Sequence, residues 1–263
     1  MTMDACVRIV SAAMLATGVL AGCATVEQPD PLEKMNRRVF AFNEGVDKYL
    51  IVPPATVYRD VVPQRVREGV DNFFNNLKDA WSSVNLVLQG RLGDASNDVM
   101  RFSVNTVLGL GGILDWGTEL GLEPHREDFG QTLGRWGLPP GAYLVLPILG
   151  PSTLRDVIGL PIDLKASPDQ VAHTVRARNT LTGVRIVTTR AGLLGATDLL
   201  NDIALDRYTF IRDAYLQRRR NLIYDGDPPD EERGDESAAP PEAAPPAAAV
   251  PGVAASAAAR PGL

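Results

Sequence analysis

Apolar side chains recur every three or four residues over long parts of this chain, a spacing that predicts amphipathic helices. One apolar stripe runs from Met35 to Leu50 and a second from Val66 to Leu88, ahead of Gly90. Before the first stripe, the four residues from Asp30 to Glu33 have the composition of a helix start, with Asp30 as the N-cap. The prolines that follow Val52 predict where this first helix ends.

Further helices are predicted in the second half of the chain and just ahead of it. Asp94 is placed to cap a third helix, and a last helix carries apolar residues at helical spacing from Tyr208 to Leu222. The stretch from 168 to 190 mixes valines with arginines, which would lie on a solvated face or against lipid phosphates. Alternating β-branched runs with hairpin turns are scarce. We therefore predict a mostly α protein.

The segment from Gly109 to Gly159 interrupts this pattern with glycines and prolines inside apolar sequence. Clusters such as Gly-Leu-Gly-Gly at 109–112 predict irregular backbone. In lipid, irregular backbone is tolerated where protein buries it or where it lines a water-filled cavity. A loop-rich subdomain in water explains the same composition, so both interpretations stay open at this point.

A short apolar run from Ile9 to Leu20 is followed by Ala21, Gly22 and Cys23. The run has the length of a signal-peptide core and falls short of the roughly 20 apolar residues of a membrane span. Leu-Ala-Gly-Cys resembles the bacterial lipoprotein box, which implies cleavage before Cys23 and a diacylglycerol on its thiol. We assign residues 1–22 to a lipoprotein signal peptide and 23–29 to the lipidated N-terminus with a short linker. An ordinary leader that ends near a cysteine is the alternative.

The distribution of cysteine and charge narrows the remaining possibilities. The other cysteine, Cys6, lies in the leader, so the mature chain has no second thiol for a disulfide or a soft metal site. Segment 225–263 carries a net charge of −6, equal to that of the whole chain, and leaves the body neutral. A neutral body argues against nucleic acid as a partner. Because it is rich in Ala, Pro and acids, segment 225–263 is predicted to be a disordered tail.

Few residues are placed for chemistry. His125 and His173 lack the short spacing of metal ligands, and Ser152 lacks the second glycine of a nucleophile elbow. The acidic pair at 127–128 follows Arg126, which favours a surface ion pair over two converging catalytic carboxylates. We therefore expect no metal, no cofactor and no enzymatic activity.

A series of short motifs runs through the body from about residue 30 to residue 224. In chain order these include Asp30-Pro31-Leu32-Glu33, Asn36-Arg37, Phe40-Ala41-Phe42-Asn43, Asn72-Phe73-Phe74-Asn75-Asn76-Leu77, Leu88-Gln89-Gly90, Arg101-Phe102, Asn105-Thr106, Glu127-Asp128-Phe129-Gly130-Gln131-Thr132-Leu133-Gly134, Trp136-Gly137, Gly150-Pro151-Ser152, Arg155-Asp156 and Asp213-Ala214-Tyr215. Together with the lipoprotein box, these motifs resemble the MlaA (VacJ) family of outer-membrane lipoproteins. The nearly uncharged start of the leader and the long tail depart from the family pattern.

The resemblance implies a mostly helical, ring-shaped body in the inner leaflet of the outer membrane, with a polar channel through it. Family members remove phospholipid that has strayed into the outer leaflet and pass it to a soluble periplasmic carrier, often beside a trimeric porin. Ala24 agrees with outer-membrane delivery, because an Asp after the anchor would favour retention at the inner membrane. A membrane-anchored phospholipase and a structural envelope lipoprotein are the alternative functions.

Five residues are candidates for the channel or its gate. Phe42 lies on the first apolar stripe and Asn43 lies about 100° around the helix, so an apolar and a polar group adjoin. Such a boundary is required where a lipid-facing surface meets a channel-facing one. Asp128, Phe129 and Gln131, in the irregular middle of the chain, form the second group. The alternative is that all five are packing or capping residues.

Overall fold

The computed structural model of the protein describes residues 30–228. The predicted signal peptide, Cys23 and the tail from residue 229 onward lie outside the described residues. The described part is mostly helical, which confirms the predicted fold class. In chain order its elements are α1 (Glu33–Val46), a π-helical turn (Asp47–Ile51), α2 (Val52–Val61), α3 (Gln64–Leu88), α4 (Leu92–Val107), α5 (Trp116–Glu119), α6 (Phe129–Arg135), β1 (Tyr143–Leu146), β2 (Gly150–Thr153), α7 (Leu154–Lys165), a 3-10 turn (Pro168–Val171), α8 (Val175–Ile203) and α9 (Arg207–Ile223).

The long helices follow the predicted periodicity. The second apolar stripe lies on α3, which ends before Gly90, where a φ of +80° suits glycine. The last predicted stripe lies on α9. α3 packs chiefly against α4, and α2 packs along α8.

Two predicted helix caps were wrong, because other groups compete for the capping carboxylate. α1 begins at Glu33, and Asp30 accepts hydrogen bonds from Asn36 Nδ2 at 2.8 Å and from the Tyr208 hydroxyl. Asp30 therefore joins α1 to α9. α4 begins at Leu92, and the carboxylate of Asp94 lies in its first turn, 2.8 Å from the guanidinium of Arg91.

The predicted end of the first helix at Val52 was also wrong. The π-helical turn Asp47–Ile51 carries the helical chain from α1 into α2. Pro53 and Pro54 lie in the first turn of α2, where the fixed φ of proline suits a helix. The prolines therefore begin a helix here.

An antiparallel hairpin lies in the central segment, where strand signals in the sequence are scarce. Tyr143 of β1 stands opposite Thr153 of β2, and Leu146 stands opposite Gly150. Each strand has four residues, too few for an alternating pattern to be distinctive. Much of the predicted irregular segment 109–159 is irregular as far as β2. α7 begins at Leu154, however, so the last residues of that segment are helical.

The hairpin is held by two asparagines on one face of α1. Asn36 Nδ2 donates to the Tyr143 carbonyl at 3.0 Å, and its Oδ1 accepts from the Val145 N–H at 2.9 Å. Asn43, seven residues later, contacts the turn of the hairpin in the same way. These amides satisfy backbone groups on the outer edge of β1, which would otherwise need a neighbouring strand.

The described residues bury polar groups and expose apolar ones to an unusual degree. Buried polar and charged side chains outnumber buried hydrophobic ones in this part of the chain. The buried positions of α4 are Ala95, Asp98, Arg101 and Asn105, whereas Leu92, Val99, Met100 and Val107 are at least half exposed. Since soluble proteins place their large apolar residues inside, the helices are turned with the opposite face inward.

Candidate functional site

Arg101 on α4 organises one part of the polar interior. Its guanidinium lies 3.3 Å from Asp79 Oδ2 on α3 and 3.0 Å from Asp115 Oδ1 ahead of α5. Asn105 Nδ2 donates to the same Asp115 carboxylate at 3.0 Å. Only 4% of the Arg101 side chain and 1% of the Asp79 side chain are exposed. Removal of one member of a buried ion pair leaves the other charge uncompensated, so this network fixes α3, α4 and α5 relative to each other.

A second ionic cluster ties the central segment to α9. Arg219 contacts Asp128 Oδ2 at 2.6 Å and Asp156 Oδ1 at 2.7 Å, and the Tyr215 hydroxyl donates to Asp156 Oδ2 at 2.7 Å. Burial is the largest single effect and acts to raise the pKa of Asp156, but Arg219, Arg155 and the Tyr215 hydroxyl together outweigh it, so the pKa is lowered. Asp156 therefore stays charged as the partner of Arg219.

The predicted surface ion pair at Arg126, Glu127 and Asp128 was wrong. Glu127 is buried and contacts Arg91 at 3.2 Å, while Asp128 pairs with α9. Arg126 is left to donate a hydrogen bond to Asn75 Oδ1 at 2.9 Å. Adjacent residues in extended backbone point to different sides, which sequence spacing alone did not reveal.

A cavity of about 390 Å³ lies between α3, the segment ahead of α6, α7 and α8. Its apolar lining includes Trp81, Leu160, Leu164 and, from the hairpin turn, Leu149. Its charged lining consists of Lys78, Arg126, Arg185, Glu127, Asp128 and Asp163. The volume is at the lower end of the ~300–1,000 Å³ typical of small-ligand sites. The wall suits a ligand that is charged at one end and apolar at the other.

The structure brings one of the five candidate residues to this cavity directly. Asp128 lines it and is the N-cap of α6, where its Oδ1 accepts from the Gln131 N–H at 2.8 Å. Gln131 is buried, and its Nε2 donates to the Arg126 carbonyl at 2.7 Å. This hydrogen bond holds the backbone of Arg126, which lines the cavity. Phe129 is half-buried and meets Trp136 edge-to-face at 6.1 Å.

The remaining candidates, Phe42 and Asn43, adjoin on α1 but differ in their surroundings. Asn43 Nδ2 donates to the Leu146 carbonyl at 2.9 Å, and its Oδ1 accepts from the Ile148 N–H at 2.7 Å. Leu149, the next residue of this turn, lines the cavity. Phe42 is 55% exposed. Asn43 thus contacts the hairpin turn that carries the cavity residue Leu149, whereas Phe42 lies on the apolar exterior.

The arginines of α8 divide between two environments. Arg185 contacts Asp169 at 3.0 Å, and Arg190 holds both carboxylate oxygens of Asp47 at 2.7 and 2.8 Å. Arg176 is exposed. The arginines of α8 therefore do not share one solvated or lipid-facing surface, because Arg185 and Arg190 contact other elements of the protein.

Sequence reasoning missed the cationic part of the cavity. The sequence pattern does not single out Lys78, which is one of several charged residues within the long amphipathic helix α3. Arg126 and Arg185 lie in separate segments, each with its own sequence context. No sequence signal joins these three positions, since their convergence depends on the packing of three separate elements.

Exposed apolar side chains follow one another from the end of α4 to the residue after α5. Every large apolar side chain of this stretch is exposed, namely Val107, Leu108, Leu110, Ile113, Leu114, Trp116 and Leu120. Contiguous exposed apolar surface marks contacts with membranes, proteins or ligands. Among the helices of residues 30–228, none combines the length and hydropathy needed to cross a membrane.

An apolar exterior, a polar interior and an amphipathic cavity together define a mostly α-helical protein whose outer surface suits an apolar environment. The chain belongs to the MlaA lipoprotein family, whose family model matches residues 28–222. Relatives named intermembrane phospholipid transport system lipoprotein MlaA occur in Shigella flexneri and Escherichia coli. Each is 37% identical over 84% of this chain and 91% of its own length.

A solved structure gives the same family assignment from the fold. That structure, described as the structural basis for maintenance of bacterial outer membrane lipid asymmetry, is 38% identical with a TM-score of 0.64. The match covers 74% of this chain and 98% of the other. A relative of the same transport name in Haemophilus influenzae is 34% identical over 83% of this chain and 92% of its own.

Proposed function

We propose that this protein is an outer-membrane lipoprotein that removes mislocalised phospholipid from the outer leaflet and passes it to a soluble periplasmic carrier. The names of its relatives, which refer to intermembrane phospholipid transport, support the general role. The similar solved structure concerns outer-membrane lipid asymmetry, which supports the outer membrane as the membrane in which this protein acts.

The observation that carries this proposal is the reversed placement of polar and apolar side chains. Large apolar residues exposed on α3, α4 and the segment up to α5 suit contact with acyl chains. The buried polar residues of the same helices suit a path for a headgroup, because ionisable groups within a membrane face protein or a water-filled cavity. A phospholipid needs both environments at once while it moves.

In this proposal the helices form a ring around a polar channel in the inner leaflet. Phe42 and Asn43 lie where the outward and inward surfaces of α1 adjoin, and Asp128, Phe129 and Gln131 belong to the wall beside the cavity. Hydrogen bonds from Asn43 to the hairpin turn make this turn a suitable gate, since a change at α1 reaches Leu149 through it.

The anchor and the partners complete the proposal. Acyl chains on Cys23 hold the protein at the membrane, since each buried methylene contributes about 0.8 kcal/mol and two or more chains bind stably. A trimeric porin is the expected neighbour, and the carrier removes lipid on the periplasmic side.

Transfer requires no bond chemistry from the protein. Within the described part, no hydrogen bond joins Ser152 to His125, so these two residues do not form a nucleophile–base pair. The Ser152 side chain is buried, and the His125 ring lies 2.8 Å from Asp98 Oδ1. These contacts support transport over the alternative of a phospholipase.

The test is an envelope lipid assay in a strain without the gene. Deletion is expected to raise phospholipid in the outer leaflet, and the intact gene is expected to restore the normal level. The purified protein is then incubated with phospholipid in detergent micelles and in vesicles with a lipid acceptor. Lysophospholipid or free fatty acid as products would assign a phospholipase. An unchanged outer leaflet after deletion would assign a structural role.

A further inference from the structure

Three cationic side chains reach the cavity from three separate parts of the fold. Lys78 comes from α3, Arg126 from the segment ahead of α6, and Arg185 from α8. Groups of like charge repel one another, so their convergence on one partly buried space is unfavourable unless something compensates it. The carboxylates of the same wall are the first candidates for that compensation.

Two of these carboxylates have other partners. Asp128 contacts Arg219 at 2.6 Å, and Glu127 contacts Arg91 at 3.2 Å. Asp163 accepts hydrogen bonds from Trp81 Nε1 and the Phe129 N–H, both at 2.9 Å. Burial raises the pKa of Asp163. None of the three makes an ion pair with a cation of the cavity within the described residues.

The cations of the cavity therefore keep unused hydrogen-bond donors. The Lys78 ammonium makes no hydrogen bond or ion pair with any residue of 30–228. Arg185 contacts Asp169 at 3.0 Å, but its buried Nε has no hydrogen-bond partner in the described structure. Burial lowers the pKa of Lys78 and the positive charges of Arg126 and Arg185 lower it further, while Asp71 and Asp79 oppose the shift without reversing it. An anion in the cavity would accept hydrogen bonds from these donors and offset the repulsion between the cations.

We propose that Lys78, Arg126 and Arg185 bind the phosphate group of a phospholipid while Trp81, Leu160 and Leu164 contact the apolar part beside it. Charge-assisted hydrogen bonds from guanidinium and ammonium groups are the strong contacts that phosphate oxygens make. The apolar wall adjoins these cations in the same cavity, as the junction of headgroup and acyl chains requires. This site rests on the proposed function, which it extends to a headgroup-binding site.

The test measures binding to the full-length protein in detergent by calorimetry. The probes are dihexanoyl-phosphatidylethanolamine, dihexanoylglycerol, which lacks the phosphate, and inorganic phosphate. Lys78→Met keeps the length of the side chain and removes its charge, and Lys78→Arg restores a cation. Lys34→Met is the matched control, because Lys34 is exposed on α1 and does not line the cavity. Arg126→Met is a second variant, since Arg126 is exposed and, among residues 30–228, its side chain donates only to Asn75.

Lys78→Met and Arg126→Met are each expected to weaken binding of the phospholipid about tenfold, which corresponds to one charge-assisted contact. Lys78→Arg and Lys34→Met are expected to stay near the wild-type affinity, and dihexanoylglycerol is expected not to compete. Equal affinities of all variants would overturn the site. Inorganic phosphate that binds as tightly as the lipid would show a free-phosphate site and overturn the lipid assignment.

A transfer assay with the same variants separates this site from the proposed function. If the wild-type protein transfers phospholipid and Lys78→Met binds it normally, the site is wrong and the function stands. If the variants lose binding but the wild-type protein transfers no phospholipid, the site stands and the function is wrong.

Discussion

Replacement of Asn43 with alanine tests whether α1 holds the hairpin beside the cavity. The change removes the hydrogen bond from Nδ2 to the Leu146 carbonyl and the one that Oδ1 accepts from the Ile148 N–H. Ile148 has a φ of +67°, an unfavourable conformation for a β-branched residue that surrounding contacts must maintain. Without Asn43, the turn that carries Leu149 to the cavity wall loses its tie to α1.

The magnitude follows from the two hydrogen bonds. Each contributes about 0.5–1.5 kcal/mol net, so Asn43→Ala is expected to lower the free energy of unfolding by about 1–3 kcal/mol. For a domain of this size, 1 kcal/mol corresponds to roughly 2–4 °C, so the Tm is expected to fall by roughly 2–12 °C. Phe42→Ala is the matched neighbour. More than half of its side chain is exposed, so we expect a change below about 1 kcal/mol.

The measurement combines thermal unfolding in detergent with hydrogen exchange of the Ile148 amide. Asn43→Ala is expected to speed this exchange, and Phe42→Ala is expected to leave it unchanged. In cells, each variant is expressed beside the intact gene, and outer-leaflet phospholipid and detergent sensitivity are recorded. A gate that stays open is expected to make the envelope leaky even when the intact copy is present.

Two results would refute this reasoning at different points. An Asn43→Ala protein with wild-type Tm and exchange would show that the two hydrogen bonds do not hold the turn. If every variant of Phe42 and Asn43 is recessive and accumulates poorly, the two residues are packing residues and the gate assignment fails.

The remaining predictions concern the anchor, the tail and the buried interior. Cys23→Ala is expected to abolish incorporation of labelled palmitate, and equal labelling would contradict the lipoprotein assignment. Truncation after Gly226 keeps the contact of Asp225 with Arg91 and is expected to leave the Tm nearly unchanged; a drop of many degrees would show that the removed segment stabilises the body. Burial raises the pKa of Asp79 from 3.8 to about 6, so the native state binds this proton more tightly than the unfolded state. Its contribution to stability therefore falls as the pH rises from about 4 to about 6, and Asp79→Asn is expected to remove that slope in denaturation measured across this range.

The sequence by itself determined the features that depend on neighbouring residues. The apolar stripes of α3 and α9 follow from side chains three and four residues apart, which share a face of any helix. The glycines and prolines of the central segment restrict the backbone locally, and much of that segment is irregular accordingly. The family motifs are likewise local strings, so they could be read without a fold.

Tertiary structure decided which partner each polar side chain takes. Asp30 had the sequence context of a helix cap, but the Tyr208 hydroxyl and Asn36 amide bind its carboxylate. The hairpin is also a tertiary product, because four-residue strands have little local signal and the amides of Asn36 and Asn43 complete their edge.

The sequence pattern also did not determine which face of each helix is buried. A stripe of period 3.6 has the same spacing whether its apolar side faces a core or faces lipid. Only the packing of α3 against α4 shows that Asp79 and Arg101 lie inside while Val84 and Val99 lie outside. The cavity cations Lys78, Arg126 and Arg185 converge for the same reason, because three elements far apart in the chain pack at one place.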